Sequence, residues 1–292
     1  MDYLLHILIL CLIYVLFAAS LDLELGFTGL YNLGHVAFFG IGAYTSALVT
    51  LAGQPVWLGM CAGMITAGLA GAVFAFPTLR LTGDYFGIAS LAFGEMIRLV
   101  FLNARGLTKG PMGIPGIPRP NWFGDATSLT AYLAVSLLLV AAGTAWLRRL
   151  SSSPFGRTLK VIREDEDVAR AFGKNVVSFK VRCVAAGSAL GGLAGALWAH
   201  YVTYISPNDF TITSTILVLL CVVVGGKGTI KGPVLGAFVV IGFQEAVRFL
   251  PLPPELGRLV TPLQGMVFGA ALIALMLWRP QGILGEKWSG RA

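Results

Sequence analysis

The chain has 292 residues, 56% of them hydrophobic and only 12% charged, with 37 glycines, a mean hydropathy of +0.79 and a net charge of +7. No soluble domain of this size needs so apolar a composition, so the chain reads as a polytopic integral membrane protein. The basic excess then reports topology beside anionic lipid rather than nucleic-acid binding, because no soluble module is left to carry such a site.

A membrane-crossing helix takes about 20 mostly apolar residues. Nine segments qualify, near 3–21, 33–52, 56–77, 85–102, 129–147, 179–204, 212–225, 233–248 and 258–278. The seventh and eighth are short, which predicts broken or re-entrant helices and an all-α bundle of about 8–10 spans. The whole of 1–292 forms one transmembrane domain. The first segment has no basic leader and no convincing small-residue cleavage site, so it is read as a retained span.

Ionisable residues within such spans are costly and are functional candidates by default. Asp22 and Glu24 end the first segment just before Gly26, Gly29 and Gly34, where a helix break is expected. Asp22 either faces a pathway or caps a broken helix end. Asn32 and His35 follow in Asn32-Leu33-Gly34-His35, and His35 either lines a cavity or bonds between helices. His6 and His200 fall near an interface and carry little information. Glu95 and Arg98 share a helix face at i, i+3, as do Glu245 and Arg248, and both pairs are placed at the outer ends of spans. Structural pairing is the favoured reading, with substrate contact by Glu95 as the other.

Residues 103–128 are rich in Gly and Pro and form an external turn with little helix. The runs Gly68 to Ala75 and Gly192 to Ala199 resemble each other, a match that reflects a shared need for close helix packing rather than a repeat.

Arg148 to Arg182 is a charged island. It holds nine of the 21 Lys and Arg together with the acidic run Glu164-Asp165-Glu166-Asp167. Basic loops resist translocation, so the island lies in the cytoplasm, along with the Gly225–Gly232 turn, the Leu79–Gly83 loop and the tail. Within it a helix starts at Pro154, where a missing N–H costs nothing, and stops at Gly173. Arg163, Asp167 and Arg170 share one face of it by i, i+4, i+7 spacing. It serves either to transmit force from a soluble partner or simply as a solvated loop helix.

No enzyme signature is present. The turn Gly225-Gly226-Lys227-Gly228-Thr229 lacks both the upstream Gly and the Ser or Thr directly after Lys that a phosphate loop requires. The four cysteines lie in apolar segments and form no CxxC pair, so neither disulfides nor metal or other cofactors are expected in this chain.

Residues 154–173, Pro-Phe-Gly-Arg-Thr-Leu-Lys-Val-Ile-Arg-Glu-Asp-Glu-Asp-Val-Ala-Arg-Ala-Phe-Gly, resemble the cytoplasmic coupling segment of branched-chain amino-acid ABC permeases. Asn32 to Tyr44, Leu79 to Ile88, Thr108 to Ile114, Ser206 to Phe210 and Gly225 to Ala237 resemble that family along almost the whole chain. Asp22 departs from it, since Asn is the expected residue there. The resemblance implies a permease subunit of an ATP-driven importer in a bacterial inner membrane, with a cytoplasmic C-terminus. It implies a homologous permease partner, two cytoplasmic ATPases, an external (periplasmic) binding protein and a branched-chain or other small apolar amino acid as substrate. Urea or short amides are alternative cargoes, and an ion-coupled secondary transporter is the reading from another class. The coupling segment spans about 148–180, with Gly156, Arg157, Arg163, Glu164, Asp165, Glu166, Asp167, Ala169 and Gly173 assigned to the ATPase contact. Asp22, Asn32, His35 and Glu95 are assigned to the substrate pathway.

Overall fold

The computed structural model describes residues 2–79, 81, 84–120, 129–248 and 282–285, with scattered positions from 266 to 277. The helices are α1 (Asp2–Thr28), α2 (His35–Leu51), α3 (Val56–Thr78), α4 (Asp84–Asn103), α5 (Arg105–Thr108), α6 (Leu129–Ser152), α7 (Pro154–Glu164), α8 (Glu166–Ala171), α9 (Val176–Val202), α10 (Ile212–Gly225) and α11 (Lys231–Arg248). Two short strands, β1 (Ile114–Pro115) and β2 (Tyr204–Ile205), pair antiparallel. Eight of the nine apolar segments thus fold as helices; of the ninth only scattered helical positions are described, and the basic residues of the tail lie outside the described residues. Among the described residues, six segments are long and apolar enough to cross a membrane, and α2 is apolar but shorter.

α9 is the central post, packed by α1, α2 and α3. Lipid gives little hydrophobic drive for helix association, so close backbone approach through small residues has to supply the contact. Small residues of both similar runs do this where α3 crosses α9, each against the turns that precede the other run. Gly68 of α3 lies against Ala189, Gly71 against Ser188, and Gly192 of α9 lies against Gly63 and Ala67. An aromatic core of Phe39, Tyr44, Phe101, Trp198 and Phe210 fills the space between α2, α4 and α9.

Charged and Gly/Pro-rich loops separate to opposite ends of the bundle. At one end Arg163 of α7 reaches Gly26 of α1, Gly228 N donates to Asp22, and residues 283 and 284 bond back to Val224 and Gly225. Leu79 packs there with Leu30, Phe86 and Val184. At the other end His6 of α1 meets Tyr201, Ile117 N donates to Thr203 O, and β1 pairs with β2. The island, the 225–232 turn and residues 282–285 therefore share one side.

The island departs from the expected single helix. Asp165 is extended (φ −158°, ψ 115°), and its side chain accepts from Asp167 N at 2.8 Å and Val168 N at 3.1 Å, capping a new helix. Arg163 is therefore not on one face with Asp167 and Arg170. The start at Pro154 and the stop at Gly173, where φ is +70°, are as the sequence predicts.

Candidate functional site

Two interrupted helices meet inside the bundle. After α1 ends, residues 29–34 double back and α2 starts at His35, whose Nε2 lies 2.8 Å from Ser20 Oγ. Ser20 is eight residues short of the end of α1, so α2 begins about 12 Å below that end. From the opposite side the chain re-enters through β2 and a 3₁₀ turn at Pro207–Asp209, and α10 starts at Ile212. With 14 residues, α10 begins roughly 20 Å above the island end. The starts of α2 and α10 are joined by Val36 N donating to Thr215 Oγ1 at 3.4 Å.

Irregular backbone at this depth needs partners for its polar groups. The 29–34 break finds them partly in the backbone, where Gly29 N and Leu30 N donate to Leu25 O and Glu24 O, and partly in side chains. Leu33 N donates to Ser90 Oγ at 2.9 Å, Gly34 N to Asn32 Oδ1 at 3.1 Å, and Asn32 Nδ2 to Glu24 Oε2 at 2.8 Å. Glu24 Oε1 stands 3.3 Å from His35 Nδ1, with both side chains fully buried. Gly34 has no space for a Cβ, which would strike the Ser90 carbonyl oxygen, so α4 runs in backbone contact with the start of α2.

Between that start, α4 and the start of α10 is a cavity of about 220 Å³, lined by Leu33, Val36, Leu91, Gly94, Glu95, Phe210 and Ile212. Glu95 is the charged residue of the lining. It lies at mid-span of α4, not at the outer end the sequence suggests. It pairs with Arg98, whose Nε lies 3.0 Å from both carboxylate oxygens. Its side chain is 49% exposed and that of Arg98 22%. An ionisable group at the centre of a span costs about 2.5–3.5 kcal/mol on insertion scales, so such a pair belongs on a wet or protein-covered face.

The other proposed pathway residues lie elsewhere. Asp22 is buried, and its Oδ1 accepts from Gly228 N at 2.9 Å, so it holds the 225–232 turn rather than capping its own helix. Asn32 and His35 are buried in the contacts that shape the break. His200, read from the sequence as uninformative, is fully buried, with Nε2 2.8 Å from Ser46 Oγ and Nδ1 2.6 Å from Pro118 O. Of the Glu245–Arg248 pair, the Arg248 side chain lies outside the described residues, and Glu245 accepts from Tyr3 Oη at 2.8 Å. Among the described residues no cluster of His, Cys, Asp or Glu could hold a metal ion.

A second feature, the α7–α8 module, carries the residues that the sequence assigns to an ATPase contact. Gly156 and Ala169 are buried: Gly156 permits the tight corner after α6, and Ala169 packs with Ile162 and Val176. Glu166 is tied to Lys180, which anchors α8 to α9, and to Arg170 at 3.0 Å. Arg157, Glu164, Asp167 and Gly173 face solvent, as does Asp165 at the break. A groove of about 420 Å³ runs between the two helices, lined by Pro154, Arg157, Thr158, Val161, Ala169, Phe172 and Lys174. The Phe172 ring beside it is 74% exposed. Sequence reasoning missed Phe172, whose signal is an aromatic residue directly before a helix-stopping Gly within a charged run.

The family described as the branched-chain amino acid transport system permease component matches residues 3–276. The high-affinity branched-chain amino acid transport system permease protein LivM of Escherichia coli (strain K12) is 33% identical, over 94% of this chain and 68% of that protein. The probable branched-chain amino acid transport permease protein LivM of Methanocaldococcus jannaschii is 29% identical over 94% of this chain and 91% of its own. The guanosine ABC transporter permease protein NupQ of Bacillus subtilis (strain 168) is 26% identical over 76% of this chain. No solved structure matches.

Proposed function

The chain belongs to the branched-chain amino-acid transport permease family, and from that premise we propose that it is a membrane subunit of an ATP-driven importer for branched-chain or other small apolar amino acids. It pairs with a homologous permease, takes substrate from an external binding protein, and rests on two cytoplasmic ATPases that hydrolyse ATP on its behalf. The island end, with residues 282–285, faces the cytoplasm of a bacterial cell whose inner membrane holds the bundle.

The observation that carries this reading is the link between the α7–α8 module and the helix break. Arg163 of α7 donates to the main-chain oxygen of Gly26, in the last turn of α1. From there Glu24 and Asn32 hold the loop that positions the start of α2, which walls the cavity. Movement of a partner seated on the exposed rim of the module is thereby passed to a helix end at substrate depth. Opening the cavity alternately to either side needs such an element with two arrangements.

The test is co-purification followed by uptake. Expressed with its neighbouring subunits, the chain is expected to bring down an ATPase and a second permease, and the assembly in proteoliposomes to accumulate leucine, isoleucine or valine only with ATP and binding protein. Accumulation without ATP, driven by a proton or sodium gradient, would sink the proposal. ATP hydrolysis by the purified chain alone would do the same.

A further inference from the structure

The fold gives little structural reason for Glu95 and Arg98. Neither side chain holds a loop or a helix end. They bond to each other at mid-span, on a face of α4 that the rest of the chain leaves half open. Glu95 lines the cavity, with Arg98 bonded to it, and the other walls are apolar through Leu33, Val36, Leu91, Phe210 and Ile212, while Gly94 adds no side chain.

We propose that the Glu95–Arg98 pair and this cavity form a binding site, at membrane depth, for the zwitterion of an aliphatic amino acid. The proposal rests on the permease reading above and deepens it. The ligand's ammonium bonds to the Glu95 carboxylate, its carboxylate to the planar donor edge of Arg98, and its aliphatic side chain enters the cavity. Arginine suits this role because its fork of N–H groups matches a carboxylate in two parallel bonds.

Charge neutrality makes the site selective. Empty, the pair neutralises itself, so the site has no net charge to strand in the bilayer. A zwitterion inserted across the pair replaces one internal ion pair by two external ones and brings no net charge. An amine without a carboxylate, or an acid without an ammonium, must compete with the internal partner and leaves the site charged. An unpaired charge at mid-span is costly.

The experiment uses the assembled transporter in detergent, without the binding protein, and measures equilibrium binding of radiolabelled L-leucine. 3-Methylbutylamine and 4-methylpentanoate, which each lack one of the two charges, are expected to displace it at roughly tenfold or higher concentrations than unlabelled leucine. Glu95→Gln is expected to weaken leucine binding roughly tenfold or more. The double variant Glu95→Arg with Arg98→Glu keeps a salt bridge but reverses its polarity, and it is expected to lose leucine binding while still assembling. Wild-type binding in both variants would overturn the site and leave the permease reading standing. Failure of both to assemble would assign the pair to subunit contact and overturn the site as well. A wild-type assembly that neither binds nor imports any amino acid would overturn the permease reading and this proposal with it.

Discussion

Arg163, in the first helix of the charged module, donates from Nη1 to the main-chain oxygen of Gly26 in the last turn of α1. Carbonyls at a helix C-terminus have no partner within the helix, and a guanidinium there also complements the negative end of the helix dipole. Two segments 137 residues apart in sequence are thus joined by one side chain. In Arg163→Ala the assembled transporter is expected to keep hydrolysing ATP while the amino acid imported per ATP falls roughly tenfold, the scale of a lost charged hydrogen bond. Arg163→Lys, which keeps the charge but not the fork, is expected to fall between. An unchanged transport-to-hydrolysis ratio in the alanine variant would remove this link from the route.

Asn32 bridges two buried groups, the Glu24 carboxylate and the Gly34 N–H. Removing the amide leaves both short of a bond, at about 1–3 kcal/mol for each unsatisfied group. Asn32→Ala is therefore expected to lower the melting temperature of the solubilised protein clearly. Asn32→Asp can still accept from Gly34, yet it sets a second carboxylate against Glu24 and is expected to be no better. A melting temperature equal to wild type in both would show that the break is held by other contacts.

The apolar helices were legible in the sequence because a span long enough for the bilayer is a strong one-dimensional signal. Residues 154 to 173 were legible at both ends, through Pro154 and Gly173, but not in the middle. An acidic run reads as one charged helix face, whereas Asp165 prefers to cap with its own carboxylate. Asp followed by Glu and Asp is itself an N-terminal pattern, so the signal was present and was outweighed by the i, i+4 spacing. The cavity was not legible, because its walls come from residues near 35, 93 and 211. Periodicity tells which faces are apolar, and it does not tell which faces stop short of touching. Glu95 was found only because a charge inside a span is costly wherever it occurs.

Phe172 and Glu164 lie on the exposed side of the α7–α8 module, and the Phe172 ring is 74% exposed beside the groove between the two helices. Aromatic residues seated in a partner's pocket carry a large share of binding energy at interfaces. Phe172→Ala is expected to reduce the ATPase recovered with the chain in detergent without changing the amount of chain inserted. Glu164→Lys removes the partner of Arg163 and reverses a surface charge, and is expected to uncouple hydrolysis from uptake. Full recovery of ATPase with Phe172→Ala, together with normal uptake in Glu164→Lys, would move the docking surface off this module.

Asp22 shows how burial changes a prediction made from charge. As an acid near the end of a span it invited a place in the substrate pathway. Its Oδ1 instead accepts from the main-chain N–H of Gly228, and Gly26, one turn on, leaves so little space that a Cβ there would collide with both groups. The carboxamide oxygen of Asn can accept the same bond, so Asp22→Asn is expected to change uptake of zwitterionic and uncharged substrates by the same small factor. Asp22→Ala strands the Gly228 N–H in the interior, at about 1–3 kcal/mol. It is expected to destabilise the 225–232 turn, read as faster proteolysis or hydrogen exchange there. A loss confined to zwitterionic substrates in Asp22→Asn would put the carboxylate in the pathway after all.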